Sequence, residues 1–110
     1  MKLPETLKIG GRVYRIVFPY LFQDNANVVY GLHDPGMLSI RISEIDESGN
    51  KRSDFSILQT FLHETLHAVD YVYNQGWLTR TDNGERTIDQ LAEGLLQVLR
   101  ENEINFKEME

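Results

Sequence analysis

One stretch limits the fold more than any other. From Ser53 to Tyr73, apolar residues such as Phe55, Ile57, Leu58, Phe61, Leu62, Leu66, Val69 and Val72 recur at helical spacing and cover most of a helix's circumference. A helix that is apolar on most sides is expected to be buried. One stripe interrupts it: Ser56, Thr60, His63, His67, Asp70 and Asn74 follow one another at alternating steps of four and three residues, hence along one side. Burying polar groups without partners is unfavourable, so the rest of the fold has to bring partners to this stripe. Ser53 is the expected N-cap and Asn74-Gln75-Gly76 the expected stop, which gives a helix over about 53–74.

A second helix is predicted over about 82–102, with Ile88, Leu91, Ala92, Leu95 and Leu99 on its core face. Trp77 is expected to anchor the interhelix loop in the core. The first half reads as about four strands over 6–43. Leu7-Lys8-Ile9 and Arg12 to Phe18 flank Gly10-Gly11, a hairpin signal. Phe22 to Asn27 reads as a loop, Asn27 to Leu32 as a strand and His33-Asp34-Pro35-Gly36 as a turn. In the strand Met37–Ile42, Leu38, Ile40 and Ile42 alternate with Ser39, Arg41 and Ser43, as in a strand with one wet face. That strand is either interior or an edge on which an extended peptide can pair. Strands followed by helices imply an α+β fold, and no linker divides residues 1–110.

Composition narrows the function. Lys and Arg total 11 against 17 Asp and Glu, a net charge of −6. Phosphate-backbone binding relies on Lys and Arg, so neither nucleic acid nor an anionic membrane surface is expected as a partner. Met1 to Gly11 carries no apolar run like that of a secretory signal, and no stretch reaches membrane-span length. Cysteine is absent, which removes disulfides, thiolate metal sites and Cys nucleophiles. A cytoplasmic protein is the expectation.

The chemistry lies in the stripe. His63-Glu64-Thr65-Leu66-His67 is HExxH on a predicted helix. Two histidines one turn apart on one face can share a Zn²⁺. Glu64 is turned about 100° from His63 and flanks the metal, where it can take a proton from water. A catalytic zinc usually has three protein ligands. The acidic candidates for the third are Glu85, Asp89, Glu93 and Asp70. Glu85 is preferred, because Asp89 follows one turn later on the same face and is placed to orient a ligand histidine. Against this, Asp82-Asn83-Gly84-Glu85 also matches a capping box. Asp70 is expected to support a histidine, and Tyr71, four residues after His67, is a candidate transition-state donor. His33 is expected to be a surface turn residue.

The HExxH segment, taken with Glu85-Arg86-Thr87-Ile88-Asp89-Gln90-Leu91-Ala92, resembles the gluzincin-type zinc peptidases. It looks most like the small phage and bacterial peptidase domains of the ImmA/IrrE type, in which the following helix opens Glu-x-x-Ala-Asn-x-Phe-Ala. Ile88, Asp89 and Leu91 depart from that pattern. The Glu-x-x-x-Asp pair is similar to the third motif of thermolysin-like enzymes. The resemblance, over residues 28–102, implies one zinc per chain on His63, His67 and Glu85. It also implies Glu64 as base, Asp89 as the support of a histidine, and a minimal zincin-like architecture. Its implied substrate is a regulatory protein such as a repressor. The alternative reading is a zinc-stabilised or inactive module that binds a protein partner.

Overall fold

The computed structural model of the protein describes residues 1–23 and 29–109. The predicted loop from residue 24 onward and the start of the predicted strand at Asn27 and Val28 lie outside the described residues. The fold is α+β: a four-stranded sheet followed by helices.

β1 (Thr6–Ile9) and β2 (Arg12–Val17) form an antiparallel hairpin in which Ile9 pairs with Arg12. Gly10-Gly11 is the whole turn, and Gly10 takes the left-handed conformation (φ 61°) that a side chain would disfavour. β3 (Gly31–Asp34) and β4 (Ser39–Ile42) form a second antiparallel hairpin. The two hairpins join where β2 and β4 pair in parallel, giving the order β1-β2-β4-β3. The strand ending at Ile42 is therefore interior, and β3 and β1 are the two edges. Residue alternation reports which face of a strand is apolar, but not which strands pair beside it. The face carrying Ser39 and Ser43 is also not wet, since both serines are buried.

His33 and Asp34 belong to β3 rather than to a turn, and the turn runs over residues 35–38. Asp34 ends the strand because its carboxylate accepts hydrogen bonds from the Met37 N–H and from Arg41, both at 3.1 Å.

α1 (Asp54–Asn74) begins at Ser53, whose hydroxyl accepts from the Ser56 N–H at 3.1 Å. It stops at Gln75, in the left-handed conformation, followed by Gly76 at φ 70°. The short α2 (Trp77–Arg80) was not legible in the sequence, and Trp77 is exposed rather than a core anchor. α3 (Gly84–Glu101) is capped by Asn83 without a side-chain hydrogen bond, so Asp82 builds no capping box with Glu85. A Cβ on Gly84 would lie 2.0 Å from the Leu78 carbonyl oxygen, and only glycine permits that crossing. α4 (Phe106–Met109) is a final turn.

The core joins Tyr14, Ile16, Ile40 and Ile42 of the sheet to Ile57 and Ala68 of α1. α3 buries Ile88, Ala92 and Leu96, while Leu91, Leu95 and Leu99 remain exposed. Its core face is thus a narrow i, i+4, i+8 seam turned away from the predicted leucines. Nor is α1 buried all round: Phe55 and Val69 face solvent, whereas the polar Glu64, His67 and Asp70 are buried. Among the described residues no helix is long and apolar enough to cross a membrane.

Candidate metal centre

The polar stripe of α1 is partnered along its length. At its N-terminal end, Ser56 and Thr60 accept hydrogen bonds from Arg52. At its C-terminal end, Asn74 donates to Asp70 at 2.8 Å. Between them, His63 and His67 face each other with their Nε2 atoms 3.2 Å apart.

α3 brings Glu85 across this pair. Its carboxylate oxygens lie 2.5 Å from His63 Nε2 and 3.0 Å from His67 Nε2. His63, His67 and Glu85 each offer a donor atom, and the three lie within 4.8 Å of one another. Neighbouring donors around a tetrahedral zinc, each at about 2.0–2.1 Å from the ion, are about 3.3 Å apart. Glu93 and Asp70 do not join this group.

The outer nitrogens fix the tautomers. His63 Nδ1 lies 3.2 Å from Asp89 Oδ1, and a carboxylate only accepts, so Nδ1 carries the hydrogen. His67 Nδ1 lies 3.0 Å from Thr79 Oγ1. The Thr79 hydroxyl donates to Asp70 Oδ2 at 2.6 Å, which leaves it an acceptor toward His67. In the neutral form of each imidazole, a hydrogen held on Nδ1 leaves the Nε2 lone pair facing inward, toward the Glu85 carboxylate. Three electron-rich donors at that separation suit a shared divalent cation.

Asp70 thus reaches His67 through Thr79. Burial pushes the Asp70 carboxyl up. Hydrogen bonds from the Thr79 hydroxyl and N–H, Asn74 and the Leu78 N–H outweigh this and hold it at about 2. Burial lowers the pKa of His67, which favours the neutral imidazole a metal needs.

Glu64 lies beside the group and outside it. It is 8% exposed, and burial raises its carboxyl to about 7 against the pull of His63 and a hydrogen bond from the His33 N–H. A carboxyl poised near neutrality suits a proton-transfer group. The edge strand comes this close only because residue 31 is glycine. A Cβ there would sit 2.5 Å from Thr60 Cγ2 and 2.9 Å from Glu64 Cγ.

A cleft of about 400 Å³ opens over these residues, lined by Gly31, Arg52, Thr60, His63, Glu64 and Glu85 among others. Tyr71 does not line it. The Tyr71 ring packs edge-on against His33, 5.7 Å between centroids, with Arg12 over its face. His33 is half-buried, and its Nε2 meets the Tyr14 hydroxyl at 2.9 Å. Three residues of the site were missed in the sequence: Thr79, Arg52 and Gly31. The polar stripe called for partners, but the sequence did not identify which residues would meet Ser56, Thr60 and Asp70. No family model matches the chain, and no curated protein or solved structure matches it either.

Proposed function

We propose that the protein is a zinc-dependent metallopeptidase of the gluzincin type, working in the cytoplasm on a regulatory protein in a phage or bacterial setting. One observation carries this reading: the two inward-facing Nε2 atoms are closed by the Glu85 carboxylate, with the buried Glu64 carboxyl alongside. When bound, zinc supplies a Lewis acid and lowers the pKa of water from about 15.7 toward 7. Glu64, beside the site, would be the group that accepts a proton from an attacking water and passes it to the leaving amine. Asp89 and Thr79 keep the two imidazoles in the tautomer that offers Nε2. β3 is the sheet edge beside the cleft, and an extended peptide pairs along it.

A zinc-stabilised binding module is the competing reading. Structural zinc sites are closed by four protein ligands, whereas the group here has three and adjoins an open cleft. The peptidase reading predicts about one zinc per wild-type chain by elemental mass spectrometry. Glu85→Ala loses that zinc. Glu64→Gln keeps it but no longer cleaves a peptide library read by mass spectrometry. Absence of zinc from the wild type, even after zinc is added, sinks the proposal. Full cleavage by Glu64→Gln removes the assigned role of Glu64.

A further inference from the structure

Arg52 lines the same cleft, on the loop between β4 and α1, and is 7% exposed. Its guanidinium donates to the Ser43 carbonyl at 2.8 Å, to the Ser56 carbonyl and hydroxyl at 3.0 Å, and to the Thr60 hydroxyl at 2.5 Å. Tyr30 stacks on it at 4.5 Å. Every one of these partners is neutral. In a chain with 17 acidic residues, the guanidinium forms no ion pair with any described residue. A buried charge without a counter-charge is unfavourable, and proteins ordinarily pair it. The contacts use two of its three nitrogens, out of five N–H donors in all.

Its position is informative. Thr60, which holds it, is four residues before Glu64 on α1, a rise of about 6 Å. An extended peptide advances about 3.3 Å per residue. A peptide lying in the cleft with a carbonyl at His63, His67 and Glu85 therefore places a group one or two residues away beside Arg52.

We propose that Arg52 is a specificity residue: the cleft takes a peptide that carries a carboxylate one or two residues from the bond at the metal centre. The inference rests on the peptidase reading for its geometry. The carboxylate is an Asp or Glu side chain or the peptide's own C-terminus, and both offer the guanidinium the same planar acceptor.

Calorimetry with the Glu64→Gln variant of the whole 110-residue chain, after zinc addition, tests this without consuming the peptide. The probes are a short capped peptide with one internal Asp, its Asn counterpart, and a neutral peptide with a free C-terminus. A carboxylate peptide should bind about tenfold or more tightly than the Asn peptide. The preference should fall to about twofold or less in Arg52→Met and return in part in Arg52→Lys. The Arg52 Nε–H signal in ¹H–¹⁵N spectra should move with the Asp or free-C-terminus peptide and not with the Asn peptide. That readout stands even where Arg52→Met fails to fold. Which carboxylate peptide is preferred identifies the source. Equal binding of all three probes, no binding up to millimolar, or a preference unchanged in the Arg52 variants overturns the inference. Zinc content of the same sample separates the two readings. Zinc present without a preference defeats the role of Arg52, and a preference without zinc defeats the peptidase.

Discussion

Thr79 and Asp89 hold the two histidines by the same means with different chemistry. Asp89 accepts from His63 as a carboxylate, and Thr79 accepts from His67 as a hydroxyl whose own hydrogen is committed to Asp70. A hydroxyl can turn around, so the Asp70 bond is what makes it a reliable acceptor. In the zinc-free protein, Thr79→Val should let His67 populate the Nε2–H tautomer, visible in imidazole ¹⁵N shifts. Zinc affinity should fall by roughly tenfold or more, and Thr79→Ser should restore both. An unchanged tautomer in the Val variant would sink this assignment. His63, Glu64 and His67 were legible because helix geometry alone puts i and i+4 on one face. Glu85 and Asp89 were legible as a one-turn pair. Thr79 was not, because a threonine's role depends on what folds against it, and α2 left no sequence signal.

At the scale of elements, α1 organises the molecule by presenting one polar stripe to three different neighbours. Asp70 clasps α2 to it through Thr79 and Leu78. Because the folded-state pKa of Asp70 is depressed from 3.8 to about 2, its stabilisation is present above pH 4 and is lost as pH falls through about 2. In the zinc-free protein, Asp70→Asn should therefore be less stable than wild type by about 1–2 kcal/mol at pH 7. Urea unfolding should show the gap closing between about pH 4 and pH 2. A gap constant across that range would mean that the side chain's shape, not its charge, holds α2. The helix limits were readable from Ser53 and Gly76, since caps are local chemistry. The sheet order was not. Pairing β2 with β4 in parallel joins segments far apart in sequence, which local patterns do not encode.

For the whole molecule, the candidate centre ties α1 to α3. A cation on His63, His67 and Glu85 binds only when both helices are docked, so its binding energy adds to folding. Free zinc at 100 times its Kd should add about 2.7 kcal/mol. In a domain of this size that raises Tm by on the order of 10 °C. Scanning calorimetry should show that rise in the wild type and in Glu64→Gln, and little of it in Glu85→Ala. An equal rise in Glu85→Ala would place the cation elsewhere.

The glycine at the α2–α3 crossing has one more consequence. Gly84 immediately precedes Glu85, and its backbone meets the Leu78 carbonyl with no room for a Cβ. This close approach of α3 to α2 therefore lies one residue from the carboxylate that closes the histidine pair. The crossing works as a dowel between two machined parts: it indexes α3 against its neighbour, and Glu85 inherits the tolerance of that fit. A methyl at Gly84 would meet the Leu78 and Thr79 carbonyl oxygens, so backbone has to shift one residue from Glu85.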